Sequence, residues 1–457
     1  MNYLLIDPKI KNSDFDFPNI KLTTCEAVLK EKHNIEILEF FYEKEMNNLN
    51  LDQFKKYKYD LFYEKLLLKI NNKHIVYIDC EYGLLNDCIM LSKIIKKLNN
   101  NIIIVVGGFF INYLCNGNIL HEISKYIKYI DYYFVGDYIS LLDNINKIDK
   151  NKKILCKDYE FKKNILKVSW EKFNLEKYNN IIVPVFFSKG CKYSKCIFCD
   201  ENLIWGNKKY IERDFEYVIN ELKYTFEKYK INNFYFWDSS ILSHPNFKLL
   251  CQKLSKSSIK FKWVGLSRVD EINEEKAKML KEANCQTIEL GLEALDNYTL
   301  NNIKKGISIN KIYKTVELLK KYNIKIEGSF VIGFPGDNIK IINKRIDTAS
   351  TLDLDYYRWH NYQIPSNLLK YYFFEYEEFI NLDLNIPNQL IQESIYNNKV
   401  GYFDMHLADK TYSYQLYKFP QLKIGKLNIQ EIIQLTYLAI EKTNISKKNK
   451  ALHSPFI

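Results

Sequence analysis

Short apolar runs separated by segments of helical periodicity fill most of this 457-residue chain, and they fall into two series. The first series gives strands expected at 3–6, 35–38, 74–78, 102–106 and 131–135, with helical periodicity at 88–98 and 119–127. Strands alternating with helices build a doubly wound parallel sheet, and ligands of such sheets lie beyond the carboxyl ends of the strands. Those ends carry Asp7-Pro8, Asp79-Cys80-Glu81, Gly107-Gly108 and Gly136-Asp137. A glycine pair directly after a buried strand admits a flat ligand at close range, and tight strand-to-helix turns use the same residues. The second series places strands at 181–187, 233–237, 261–266, 287–290, 325–332 and 356–363, with helices at 215–228, 246–254, 274–283, 311–322 and 339–350. Six repeats, where a closed barrel has eight, imply a partial parallel barrel with its active site at the carboxyl ends of the strands.

The expected organisation is a first domain over 1–150, a linker over 151–180, the partial barrel over 181–370 and a carboxyl-terminal substrate or accessory region over 371–457. In the linker, Trp170, Phe173 and Tyr178 read as aromatics packed across the domain junction. The last region is rich in Tyr and Phe and shows no motif; 401–406 reads as a packing strand. A chain this long exceeds one ordinary core, and 47% hydrophobic residues suffice for packed domains. The longest apolar stretch, about 102–111, is interrupted by Gly107 and Gly108, so no membrane span is expected. The start of the sequence lacks the basic residues and cleavage site of a signal peptide and reads as a strand. Together with clustered thiols, this places the protein in a reducing cytoplasm. The net charge of +11 is scattered along the chain, and the late lysines at 446–450 read as a solvated tail; a nucleic-acid site is not expected.

Chemistry concentrates in the loop after the first strand of the second series, where Cys191, Cys196 and Cys199 follow Gly190. Structural zinc takes four protein ligands, whereas a four-iron four-sulfur cluster held by three thiolates keeps one iron open. Phe198, between the last two thiols, would keep water from the sulfurs. A zinc site completed by a distant ligand and a chance group of core cysteines are the other readings. The remaining seven cysteines stand singly and read mostly as small core residues, with Cys80 at a strand end facing the first sheet's ligand edge.

Around this loop, residues 165–365 resemble the radical S-adenosylmethionine (SAM) enzymes. Phe234-Tyr-Phe-Trp-Asp238 is similar to the second strand of that core, and Trp263-Val-Gly-Leu-Ser-Arg268 to the third. Glu289-Leu-Gly-Leu-Glu293 with Ile303-Lys-Lys-Gly306 resembles the fourth, and Gly328-Ser-Phe-Val-Ile-Gly-Phe-Pro-Gly336 the fifth. The first gap of the triplet, four residues, is longer than the family's usual one and is found in subgroups with an amino-terminal domain. The resemblance implies a [4Fe-4S] cluster on Cys191, Cys196 and Cys199, with SAM chelated at the open iron and cleaved to a 5′-deoxyadenosyl radical. It implies Asp238, Arg268 and Glu293 around the cofactor's ribose and charged ends, and Gly333, Phe334 and Pro335 along the adenine. Salt bridges at the barrel rim and ordinary turns are the structural readings of the same residues. It also implies an electron donor such as flavodoxin or ferredoxin.

The first domain looks like the cobalamin-binding domain that precedes many such enzymes, with Gly107 and Gly108 at its cofactor-binding turn. The Asp-x-His-x-x-Gly run that supplies an axial histidine is absent. With cobalamin, the implied reaction is methylation of a peptide or natural-product intermediate; with an empty domain it is a crosslink, rearrangement or oxidation. A non-catalytic metal-binding protein would instead show a fourth ligand at the triplet, and an RNA-modifying enzyme would need a further basic domain.

Overall fold

The computed structural model describes residues 1–11, 17–41, 51–81, 84–117, 120–125, 127–158, 168–178, 181–205, 210–334, 336–362, 423–424 and 426–445. The expected strand at 401–406, the lysines at 446–450 and Pro335 lie outside them.

Two six-stranded parallel sheets carry the fold. The first comprises β1 (Asn2–Lys11), β2 (Asn34–Phe41), β3 (Ile75–Asp79), β4 (Ile103–Gly107), β5 (Tyr132–Gly136) and β6 (Ile154–Lys157), in the order β2-β1-β3-β4-β5-β6. Runs such as Ile75-Val-Tyr-Ile-Asp79 are buried at every position, as a sheet covered on both faces requires. The sheet has one strand more than expected: β6 falls in the segment read as linker. Its four residues lie at the sheet edge, Cys156 and Lys157 exposed, and three apolar residues in a row are too few to announce a strand. The order reverses between β1 and β3, which is where open sheets of this type form their ligand crevice.

The second sheet comprises β7 (Val183–Val185), β10 (Asn233–Phe236), β11 (Lys262–Ser267), β12 (Cys285–Glu293), β13 (Lys325–Ile332) and β14 (Tyr356–Asn361), neighbours in sequence being neighbours in space. Between them β8 (Ser188–Gly190) and β9 (Tyr210–Glu212) form a separate antiparallel hairpin. Four of the helices that return the chain begin where short polar side chains satisfy the first free N–H groups. Asp214, Asn273, Ser308 and Asn338 each accept from the backbone two or three residues on, fixing the starts of helices Phe215–Tyr229, Glu274–Glu282, Ile309–Lys321 and Ile339–Thr351. A helix from the last region, Ile429–Ile445, covers the open side of β14, where the Trp359 indole donates to the Thr443 hydroxyl at 3.1 Å.

The two sheets are joined through the end of the linker. Ser169 donates its N–H to the Thr23 hydroxyl at 2.9 Å, in helix Ile20–Leu29 of the first sheet. The next N–H, of buried Trp170, donates to the Tyr229 hydroxyl of the second at 3.2 Å. No helix among the described residues is long and apolar enough to cross a membrane.

Candidate functional site

The chain leaves β7 through Phe186 and Phe187 and enters the β8/β9 hairpin, whose intervening segment holds the three cysteines. Asp238, two residues past β10, sets the start of this loop. Its buried carboxylate accepts from the N–H of Phe187 at 3.0 Å and from both the N–H and the hydroxyl of Ser188. Burial pushes this carboxyl up to about 7. Asp238 was expected at the cofactor; its oxygens are engaged by the backbone that launches the loop. Gly190 then turns the chain with φ +80°, a conformation only glycine adopts without strain, directly before Cys191.

Cys191, Cys196 and Cys199 are free, partly exposed thiols. Among the described residues no three His, Cys, Asp or Glu side chains converge to hold a single metal ion. A four-iron cluster attaches each cysteine to a different iron, so it asks for wider spacing than one ion does. The loop is fastened to the segment after β12: the Ile197 N–H donates to the Ile303 carbonyl at 3.1 Å and the Tyr193 hydroxyl to the Lys304 carbonyl at 2.8 Å. At Gly306, with φ +73°, any Cβ would fall 2.3 Å from that same hydroxyl oxygen, so the glycine lets the two segments meet.

Arg268, at the end of β11, reaches the centre of the loop. Its guanidinium lies 3.7 Å from the Tyr193 ring centroid and its Nη1 is 3.9 Å from the Cys196 sulfur. Nη2 donates to the Lys305 carbonyl at 2.8 Å and Nε pairs with Asp270 at 3.0 Å. Lys305 in turn pairs with Glu293 at 2.8 Å, both side chains being buried. Burial raises the Cys196 thiol above its ordinary value, while Lys305 and then Arg268 pull it down. Two cations beside a half-buried sulfur favour the thiolate, which is the form that binds metal.

Glu293 ends β12 in the left-handed region, φ +61°, where a residue with a side chain is strained. One of its oxygens meets Lys305; the other, Oε2, is buried and accepts no hydrogen bond within the described residues. Gly291 makes room for the pair, since a Cβ there would come within 2.8 Å of both Glu293 Oε1 and Lys305 Nζ. Gly333 and Phe334 form the turn after β13, with both N–H groups donating to Asp337 Oδ2 at 3.1 and 3.0 Å. The Phe334 ring packs 5.3 Å from Phe198 of the cysteine loop. Lys305, Tyr193, Asp337 and Arg345 were not singled out in the sequence. Lys305 alone had a visible signal, the Lys-Lys-Gly run after the fourth strand.

A family model described as the radical SAM superfamily matches residues 185–349, which span the cysteine loop and the strands carrying Arg268, Glu293 and Gly333. The chain carries a radical SAM domain. Such a domain implies a [4Fe-4S] cluster and SAM, and the three thiols with their flanking cations fit that donor set. An uncharacterized methyltransferase of Pyrococcus horikoshii is 25% identical over 363 residues, 74% of this chain and 74% of that protein. The fold is shared with the radical SAM methyltransferase TsrM of Kitasatospora setae, solved with cobalamin and a [4Fe-4S] cluster bound: TM-score 0.60, 15% identity, 79% of this chain and 74% of that one. It is shared also with the cobalamin-dependent radical enzyme OxsB, at TM-score 0.55 and 15% identity over 96% of this chain and 66% of that one.

The radical SAM domain meets the first sheet through aromatic rings. Phe109, just after Gly108, contacts Trp205 at 4.8 Å and Trp237 at 6.1 Å between centroids, and Phe186 stacks on Trp237 at 5.7 Å. Phe186 precedes the cysteine loop and Trp205 follows it. Beneath the rings, at the switch point, lies a buried ionic network: Lys21 pairs with Asp79 and Glu81, each at 2.8 Å, and Asn19 donates to Asp79 at 2.8 Å. Burial pushes the Asp79 carboxyl up to about 6 against the pull of Lys21. Gly107 and Gly108 have packing reasons of their own. A Cβ at Gly107 would lie 2.9 Å from the Tyr77 ring, and one at Gly108, φ +111°, 2.7 Å from Asp79 and Cys80.

Proposed function

We propose that Cys191, Cys196 and Cys199 hold a [4Fe-4S] cluster, that SAM lies beside it at the carboxyl ends of β11 to β13, and that the enzyme methylates a peptide or small natural-product intermediate using cobalamin at the edge of the first sheet. When bound, these groups supply a 5′-deoxyadenosyl radical and a methyl carrier. The observation that carries the reading is the adjacency of the cysteine hairpin and the carboxyl edge of the first sheet, joined by the packed rings of Phe109, Phe186, Trp205 and Trp237. An aromatic and apolar wall is chemically suited to a corrin ring.

The chain's own residues then have distinct tasks. Asp238 fixes the first turn of the cysteine loop, and Arg268 and Lys305 hold positive charge at Cys196. Glu293 Oε2 is the acceptor left for a hydroxyl or ammonium group of SAM. Phe198 and Phe334 close the apolar side of the loop, while exposed Lys192 and Lys195 suit docking of an acidic electron carrier such as flavodoxin or ferredoxin.

A nearby cation stabilises the cluster after it gains an electron. Lys305→Met is therefore expected to lower the cluster's midpoint potential by tens of millivolts, with Lys305→Arg close to wild type. Potentiometric titration followed by electron paramagnetic resonance reads this directly; equal potentials in all three proteins would remove Lys305 from the proposal.

A second reading rests on the Lys21–Asp79–Glu81 network, which fills the switch point with protein. In it the first sheet holds no cobalamin, and the radical serves a crosslink, rearrangement or oxidation. Anaerobic reconstitution with iron, sulfide and hydroxocobalamin, followed by desalting and visible spectroscopy, separates the two. Stoichiometric retained cobalamin, with S-adenosylhomocysteine and 5′-deoxyadenosine both formed from SAM under reductant, supports the methyltransferase. A loaded cluster that yields 5′-deoxyadenosine without retaining cobalamin supports the second reading.

A further inference from the structure

Two cysteines outside the hairpin meet at the surface of the first sheet. Cys115 lies in the last turn of helix Phe109–Asn116 and Cys156 on edge strand β6, with their sulfurs 4.0 Å apart. Cys156 is exposed and Cys115 half-buried, so small reagents reach the pair. Both elements are tied to the same point in the backbone. Asn112, one turn before Cys115, accepts from the Gly136 N–H at 2.9 Å. On β6, Cys156 pairs with Val135 and Lys157 with Gly136, whose φ of +83° lets the strands approach so closely that a Cβ there would fall 1.7 Å from the Lys157 carbonyl oxygen. The two thiols are thus held with their sulfurs 4.0 Å apart by elements fastened to one another. At the end of the same helix Asn116 donates to the Leu203 carbonyl at 2.6 Å, four residues beyond Cys199.

We propose that Cys115 and Cys156 form a reactive dithiol that exchanges with low-molecular-weight disulfides and closes to an intramolecular disulfide. The Cys156 thiolate attacks one sulfur of the disulfide RSSR, forming a mixed disulfide and expelling RS⁻, which takes up the proton lost by Cys156. Cys115 then loses its proton and attacks the Cys156 sulfur, expelling the second RS⁻, which is protonated. In sum, two protein thiols and RSSR give one protein disulfide and two RSH; the protein is oxidised and the reagent reduced. The order of attack follows from exposure: Cys156 is exposed and Cys115 half-buried, so Cys156 meets the reagent first. At 4.0 Å either thiol can donate to the other, and an S–H donated to Cys156 favours its thiolate.

The test uses the full-length, cluster-reconstituted protein under anaerobic conditions with oxidised glutathione as the probe. After quenching in acid and capping free thiols with N-ethylmaleimide, peptides are mapped by mass spectrometry without reduction. A Cys115–Cys156 linked peptide, two glutathiones released per chain and reversal by dithiothreitol are the expected results. Cys115→Ser should halt at a stable glutathione adduct on Cys156, and Cys156→Ser should leave Cys115 unmodified on the same timescale; thermal melts confirm that both variants fold. Wild type that remains unmodified at Cys156, or that accumulates the adduct without closing, overturns the proposal. This readout depends on neither SAM cleavage nor cobalamin.

Discussion

Replacing Cys191, Cys196 and Cys199 together by alanine is expected to reduce bound iron and sulfide to background and to abolish 5′-deoxyadenosine formation from SAM. The effect is all-or-none because a cluster is held only as a unit, so each single alanine variant should already approach the triple variant in activity, as groups that act together do. The fold should survive. The thiols sit in a partly exposed loop whose position depends on other contacts: Asp238 under Phe187 and Ser188, Ile197 to the Ile303 carbonyl, and Tyr193 to the Lys304 carbonyl. Circular dichroism and thermal midpoint close to wild type would therefore accompany the loss. Iron and sulfide analysis of anaerobically reconstituted protein, with chromatography for 5′-deoxyadenosine, checks it. Stoichiometric zinc in the wild type with no uptake of iron would overturn the cluster and return the loop to a structural metal site.

Much of this architecture can be read from the amino acids because buried parallel strands must be apolar on both faces. Runs such as 3–6, 75–78 and 103–106 stand out from the amphipathic helices between them. The same physics explains what stayed hidden. Helix Ile20–Leu29 is buried on nearly every side, Lys21, Thr23 and Glu26 included, so no apolar stripe marks it. The β8/β9 hairpin is three residues a side and includes Lys189 and Gly190, too short for alternation to register. At the site, residue types were legible and their partners were not. Arg268 and Glu293 end strands of the expected barrel, but that Lys305 joins them depends on how the turn after β12 folds back. Buried Lys11 and Lys21 look like solvent-facing lysines in sequence; only the approach of Asp7, Glu39, Asp79 and Glu81 shows otherwise. Cys115 and Cys156, read as isolated core residues, lie at the surface in contact, because strand β6 was not anticipated.

The largest stability effect is expected at Asp337 and Arg345, which together secure the turn that carries Gly333 and Phe334. Arg345 is fully buried and holds Asp337 through two hydrogen bonds, at 2.8 and 2.7 Å, with further donation to the Val331 carbonyl at 2.9 Å and the Thr299 hydroxyl at 3.2 Å. Asp337 in turn receives the Gly333 and Phe334 N–H groups. Arg345→Leu leaves the Asp337 carboxylate in the core without its cation and is expected to cost about 3–5 kcal/mol; Asp337→Ala leaves the guanidinium only the more distant Asp296, at 3.4 Å, and is expected to fall at the lower end of that range. In a domain of this size that lowers the thermal midpoint by roughly 10 °C. Removing both charges removes the desolvated ion along with its partner, so the double variant should fall well short of the sum of the singles. Urea unfolding of the four proteins in a double-mutant cycle measures that difference. Additive losses would mean that the pair is not coupled, and that the turn is held by the packing of Phe334 against Phe198 and Tyr362 instead. A loosened turn would also withdraw the Phe334 ring from the cysteine loop, so the single variants should lose cluster more quickly in the presence of an iron chelator even at temperatures where they remain folded.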